Sequence, residues 1–199
     1  MSKLALIDLD GTMADYDGAI TRGLLSLSAG AELETPLQGM GFTREQNPLW
    51  LQERERLVRS MPGFYRDLKP LLSGFYVVGV LQRAGYALHV ATKAPRHNTA
   101  IASKEKIEWC EEYLPNIPVT ISGDKSILRG DILFDDWPGY IGPWLEANPN
   151  SIVLMPDRQW NANYQADRCY RITESTTSED ILDVIHQHEN KLNVLSRNE

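Results

Sequence analysis

The chain alternates short unbroken apolar runs with longer stretches whose apolar residues recur every three or four positions. Residues 3–7 read KLALI, a run that fits a strand buried on both faces. Tyr86 to Ala91 (YALHVA) alternates apolar and polar positions. Pro118 to Ile121, Ile132 to Phe134 and Ser151 to Met155 are further strand candidates. Helical spacing predicts a helix over residues 13–31, through Ile20, Leu24, Leu25 and Leu27, with Gly30 as its terminator. A second helix over 49–60 places Glu and Arg on a solvated face, where Arg56 follows Glu53 at helical spacing. Leu71, Phe75, Val78 and Leu81 predict another helix, ending before Gly85. Residues 98–113 predict a fourth, with Ile101, Ile107, Trp109 and Tyr113 as its buried candidates. Trp137 to Ala147 reads as a short helix, and Ser178 caps a final one with apolar positions at Ile181, Val184, Ile185 and His188. Residues 32–43 read as a loop, Thr43 as a possible helix cap, and Met61-Pro62-Gly63 as a breaker.

Strands alternate with helices from residue 71 onward, the pattern of an α/β protein with a parallel sheet flanked by helices, a Rossmann-like core. Residues 16–70 carry helical signals and no strand. The expected organisation is therefore a core from residues 1–15 and 71–199, with 16–70 as a small inserted helical cap. A cap over the catalytic edge of a sheet excludes water and reads the substrate.

Of the 199 residues, 42% are hydrophobic and 24% charged, as in ordinary globular proteins. No apolar run approaches the roughly 20 residues that cross a bilayer. No signal-peptide pattern precedes Asp8, so the expected setting is cytoplasmic. The net charge of −7 argues against a nucleic-acid polymer as partner, which needs clustered Lys and Arg. It leaves room for a small anionic substrate held by local cations. Cys110 and Cys169 form no CxxC pair and read as core thiols. A homodimer is compatible with the chain but nothing in the sequence requires it.

Candidate chemistry begins at Asp8-Leu9-Asp10-Gly11-Thr12. Strand alternation puts Asp8 and Asp10 on one side, with Leu9 turned away. Gly11 allows a sharp turn. Ligands of open α/β sheets bind at the carboxyl ends of the strands. Two acids there can hold a hard cation, attack an electrophile, or move a proton. The competing reading is a strand-end turn that caps the next helix. Thr92 ends the strand HVA, and Lys125 lies in GDKS before another strand. Asp135 and Asp136 end the run ILF, as a paired-acid terminus that is costly unless neutralised.

The two acids after a buried strand favour the functional reading by themselves, whereas Thr92 and Lys125 are weak signals singly. Together DLDGT, the strand-end Thr92, Lys125 and the Asp135-Asp136 pair resemble the four motifs, in order, of the haloacid dehalogenase-like phosphohydrolases. The resemblance implies that Asp8 is the nucleophile and forms an aspartyl-phosphate. It implies Asp10 as general acid and base, Thr92 as a phosphate ligand and Lys125 as the neutralising cation. Mg²⁺ would be held by Asp8, the backbone carbonyl of Asp10, and Asp136, with Asp135 acting through water.

Over about residues 61–160 the chain is similar to the 5′(3′)-deoxyribonucleotidases: MPGFYRDL, KIEWCEEYL and GDKSILRGDILFDD match segments of that family in order. By that similarity Phe64 and Tyr65 line a nucleobase pocket, and the substrate is a nucleoside monophosphate. Packing of cap against core is the alternative for both rings. Tyr16 to Gly18 and Trp50 are further pocket candidates. Lys93-Ala94-Pro95 stands where the relatives usually have Ser-Pro, so Lys93 would offer the phosphate its backbone N–H. Trp137 stands where they carry a charged residue. A non-nucleotide phosphate ester is the alternative substrate, and a non-catalytic nucleotide-binding module the alternative class. His97, near the TKAP turn, reads as a solvent position, with approach to the site as the alternative, and His186 and His188 point apart on their helix.

Overall fold

The structure, a computed structural model, describes residues 3–28 and 47–195. The expected terminator Gly30, the 32–43 loop and the Thr43 cap lie outside the described residues. Six parallel strands form one sheet in the order β3-β2-β1-β4-β5-β6. They are β1 Leu4–Ile7, β2 Ala87–Thr92, β3 Val119–Ile121, β4 Ile132–Phe134, β5 Ile152–Pro156 and β6 Cys169–Ile172. The helices are α1 Tyr16–Ser26, α2 Leu49–Arg59, α3 Leu72–Arg83, α4 Thr99–Tyr113, α5 Pro138–Ala147 and α6 Ser178–Leu195. This is the α/β class read from the sequence, and the strand order reverses at β1, where such sheets bind ligands.

Strand alternation sorts the core into two layers. Ala5, Ile7, Leu88, Val90, Ile132, Phe134, Ile152 and Leu154 belong to the layer shared with α3, α4 and α6. Leu6, Ala91, Leu133, Val153 and Met155 belong to the other, with Ile141, Trp144 and Leu145 of α5. Covered on both faces, the inner strands read as continuous apolar runs. The two cysteines are free, and burial pushes the Cys110 thiol up to about 12.

The structure corrects several boundaries. The first helix begins at Tyr16 rather than residue 13, because the N–H groups of Thr12, Met13 and Ala14 all return to the Leu9 carbonyl. Asp15 then caps α1 by accepting from the Gly18 N–H at 3.0 Å. Thr177, not Ser178, caps α6: its hydroxyl accepts from Asp180 N–H while Asp180 Oδ2 accepts from Thr177 N–H. Ile101 and Ile107 are exposed rather than buried. The inward stripe of α4 is Ala102, Glu105, Lys106, Trp109 and Cys110. No apolar run marks a strand between Met155 and Ser178, yet β6 pairs there with β5. An edge strand with Arg171 at its centre and only partial burial carries no apolar run.

Helices α1 and α2 pack on each other through Ile20, Leu24, Leu51 and Val58, a small cluster separate from the two sheet layers. Gly23 lies against Val58 so closely that a Cβ would collide with it.

Candidate active site

The site forms where β1, β2 and β4 end. Leu9 joins Ala5 and Ile7 in the core, so Asp8 turns to the other face, whereas Asp10, past the end of the strand, reaches toward α4. Gly11 has φ +81, and a Cβ there would sit 2.6 Å from Asp136 Oδ2. Only glycine lets the first acidic segment fold this tightly onto the second.

Lys125 is the central cation. Its Nζ lies 2.5 Å from Asp8 Oδ1 and 2.6 Å from Asp135 Oδ2, all but sealed from solvent. Burial alone would lower the ammonium, but the carboxylates of Asp135 and Asp8 outweigh it and hold Lys125 above the ordinary lysine value. Asp135 also accepts from Trp137 N–H at 2.9 Å. Burial nevertheless pushes its carboxyl up to about 6, with Lys125 opposing and Asp8 adding to the rise. Burial, then the charges of Asp8 and Asp135, raise Asp136 well above the carboxylate range.

Ligand atoms of Asp8, Asp135 and Asp136 lie within 4.8 Å of one another. With all three ionised, as a cation would require, the carboxylates carry two more negative charges than the one ammonium of Lys125 offsets. That surplus, on oxygen donors alone, fits a hard divalent cation. The Asp10 side chain stands outside this group.

Asp10 has a different partner. Lys106 of α4, 1% exposed, donates to Asp10 Oδ2 at 2.6 Å and to Thr92 Oγ1 at 3.0 Å. Burial raises the Asp10 carboxyl, and Lys106 pulls against that rise. Its neighbour Glu105 accepts from the N–H groups of Gly63 and Tyr65 at 2.6 and 3.0 Å. Lys106 also lies 5.0 Å from the centre of the Tyr65 ring. Two adjacent residues of α4 thus join the catalytic edge to the PGFY segment.

Tyr16, Phe64 and Tyr65 make an aromatic trio, with Phe64 edge-on to Tyr65 at 4.9 Å and to Tyr16 at 5.8 Å. Phe64 is half-buried, whereas Tyr65 is 2% exposed and part of the core. Trp50 is 51% exposed on α2, beneath Arg54. Lys93 is half-buried and holds its ammonium 5.4 Å from the Tyr140 ring centre, which also lies 4.8 Å from Lys125 Nζ. His97 is exposed. His188 is buried, its Nε2 at 2.9 Å from Asn150 O, away from the site.

The segment after β5 closes the far side. Trp160 Nε1 donates to Asp136 Oδ2 at 2.8 Å, Thr12 Oγ1 donates to Asp136 Oδ1 at 2.7 Å, and Arg158 Nε donates to Gly11 O at 2.8 Å. Sequence reasoning missed Trp160, Arg158, Lys106 and Glu105. Nothing in QWN marks a functional residue. Helical phase could have found the α4 pair: Ala102, Glu105, Lys106 and Trp109 share one face.

A family model described as 5′ nucleotidase, deoxy (Pyrimidine), cytosolic type C protein matches residues 2–188. The human cytosolic-type 5′(3′)-deoxyribonucleotidase is 29% identical over 143 residues, covering 68% of this chain and 71% of that protein. The 5′(3′)-deoxyribonucleotidase of Bacillus phage SPbeta is 41% identical over 54 residues, 26% of this chain and 30% of that one. The HAD-hydrolase YfnB of Bacillus subtilis, in a crystal structure described as bound to magnesium, superposes with TM-score 0.55 at 12% identity. It covers 92% of this chain and 98% of its own, and shows the shared fold. The chain therefore belongs to the deoxy, cytosolic type C 5′-nucleotidase family, shares its fold with a HAD-hydrolase, and is a phosphoric monoester hydrolase of the nucleotidase type.

Proposed function

We propose that this protein is a Mg²⁺-dependent phosphatase that hydrolyses deoxyribonucleoside monophosphates through an aspartyl-phosphate on Asp8. The observation that carries the reading is the Lys125 bridge between Asp8 and Asp135, with Asp136 within ligand reach. Asp8 Oδ attacks phosphorus, and the P–O bond to the nucleoside breaks. Asp10, whose raised carboxyl suits a proton donor, gives its proton to the departing oxygen. Asp10 then takes a proton from water, the water oxygen attacks the phosphoryl group, and phosphate leaves as the Asp8 carboxylate returns. Thr92 and the backbone N–H of Lys93 hold phosphoryl oxygens. Lys125 keeps Asp8 aimed and cancels its repulsion with the anion.

Asp8 and Asp136 would hold Mg²⁺, with the Asp10 backbone carbonyl. Asp135, both of whose oxygens already accept protein hydrogen bonds, acts through Lys125 and water. The ion supplies positive charge against the equatorial phosphoryl oxygens. Residues 16–70 serve as the cap, and Phe64 presents the ring on which the base stacks. The expected setting is the cytoplasm; among the described residues no helix is long and apolar enough to cross a membrane.

The test is phosphate release from a panel of ribo- and deoxyribonucleoside monophosphates, with p-nitrophenyl phosphate for comparison. Activity should need Mg²⁺, favour deoxyribonucleotides and vanish in Asp8→Asn. Turnover that survives chelation or Asp8→Asn would overturn the chemistry. Turnover confined to non-nucleotide esters would overturn the substrate.

A further inference from the structure

We infer that the turn after β5 belongs to the catalytic apparatus, with Trp160 as a positioning residue that sets the Asp136 carboxylate for the divalent cation. The inference rests on the cation reading of the site. Asp136 is 4% exposed, and each of its oxygens already accepts one bond, from Thr12 on one side and Trp160 on the other. A carboxylate offers about four lone-pair positions. Two donors therefore fix its plane while leaving acceptor capacity for an ion. The indole N–H is a donor only, so Trp160 favours the ionised carboxylate and cannot rearrange to accept.

The indole is itself held. Trp160 sits in a single 3-10 turn, Gln159–Asn161. The Asn161 amide donates to the carbonyls of Asp136 and Pro156, both at 2.9 Å. Arg171 grips the turn from β6, donating to Asn161 Oδ1, to Asn161 O and to Asp157 Oδ1. Arg158 reaches the Gly11 carbonyl across 147 residues of chain. The turn is thus tied to both acidic segments at once. Two such donors restrict the carboxylate before any ion arrives, so less ordering remains for ion binding. Partners of this kind behind metal ligands typically carry 10- to 100-fold of affinity.

The experiment is calorimetric titration of Mg²⁺ into the metal-free wild type, Trp160→Phe and Trp160→His. Phe keeps an aromatic ring without the N–H, and His restores a ring N–H. Trp160→Phe should bind Mg²⁺ about 10-fold or more weakly, with Trp160→His recovering part of the loss. Wild-type affinity in Trp160→Phe overturns the inference, as does equal weakness of both variants. If the wild type takes up no Mg²⁺, the cation reading fails first and takes the inference with it. Should Trp160→Phe not fold, the wild type still decides. One of its five indole N–H resonances should shift with Mg²⁺ and broaden first with Mn²⁺, and five unmoved resonances overturn the inference.

Discussion

Lys106 Nζ lies 2.6 Å from Asp10 Oδ2 and, through the same ammonium, 3.0 Å from Thr92 Oγ1. A buried ammonium is costly unless a carboxylate faces it, and Asp10 faces this one. The pairing gives Asp10 two opposed influences: burial favours the acid and Lys106 the carboxylate. A group that donates a proton in one step and accepts one in the next needs both forms within reach.

Replacing Lys106 with Met should lower kcat by about 10²-fold, the order expected for loss of a positioned charge. Removing the cation raises the Asp10 carboxyl further. In the proposed mechanism the water-activating step needs Asp10 ionised, so the acidic limb of the kcat profile should move to higher pH. A pH–rate profile with an unmoved limb would exclude this coupling.

Glu105 makes the second link between α4 and the PGFY turn. Its two oxygens take the N–H groups of Gly63 and Tyr65. Glu105→Gln leaves one oxygen for two donors and turns an NH₂ toward the other. The cost should be about 1–3 kcal/mol of stability, read as a lower denaturant midpoint at unchanged m-value. A midpoint equal to wild type would show that the turn holds itself.

The sequence disclosed the strand ends far better than what surrounds them. Asp8, Thr92 and the Asp135-Asp136 pair follow apolar runs directly, so the sheet places them without further information. Lys125 became legible only through the order of motifs, since a lone lysine in GDKS has no periodicity to place it. In α4 the apolar residues misled: Ile101 and Ile107 face solvent, while Glu105 and Lys106 are buried because they are paired. Hydrophobicity cannot distinguish a buried charge from a solvated one; phase relative to Trp109 can. Trp160 is invisible for another reason. Its role depends on a turn fixed by Arg171 and Asn161, contacts that no local pattern encodes.

Phe64 and Tyr65 should behave differently despite being neighbours. Tyr65 is core, and Tyr65→Ala should destabilise the protein by about 3–5 kcal/mol, as large-to-small core changes do. Phe64 is half-buried, and stacking on a base is worth roughly 1–3 kcal/mol. Phe64→Ala should therefore raise KM for deoxyribonucleotides by about 10-fold or more, while p-nitrophenyl phosphate turnover changes little. Equal losses on both substrates would mean that Phe64 only packs against Tyr16 and Tyr65.

The acidic cluster makes stability depend on pH and on the cation together. Asp135 and Asp136 have carboxyls raised above the ordinary value near 3.8, Asp135 to about 6 and Asp136 higher in direction. In the metal-free fold they keep protons that the unfolded chain gives up. Between about pH 4 and 6 the native state thus binds more protons than the unfolded state, and stability falls as pH rises. The contribution is whole below 3.8 and lost once pH passes the folded values. Metal-free protein should therefore melt lower at pH 7 than at pH 5. Mg²⁺ should restore several degrees at pH 7 and less at pH 5, where protons compete for the same oxygens. Asp136→Asn removes one of the raised acids and one proposed ion ligand. Without metal it should melt above wild type at pH 7, show a shallower slope between pH 5 and 7, and gain little from Mg²⁺. Differential scanning calorimetry at the two pH values, with EDTA or with Mg²⁺, reads all of these shifts. A metal-free wild type that gains stability from pH 5 to 7 would show that the buried acids are already neutralised within the fold.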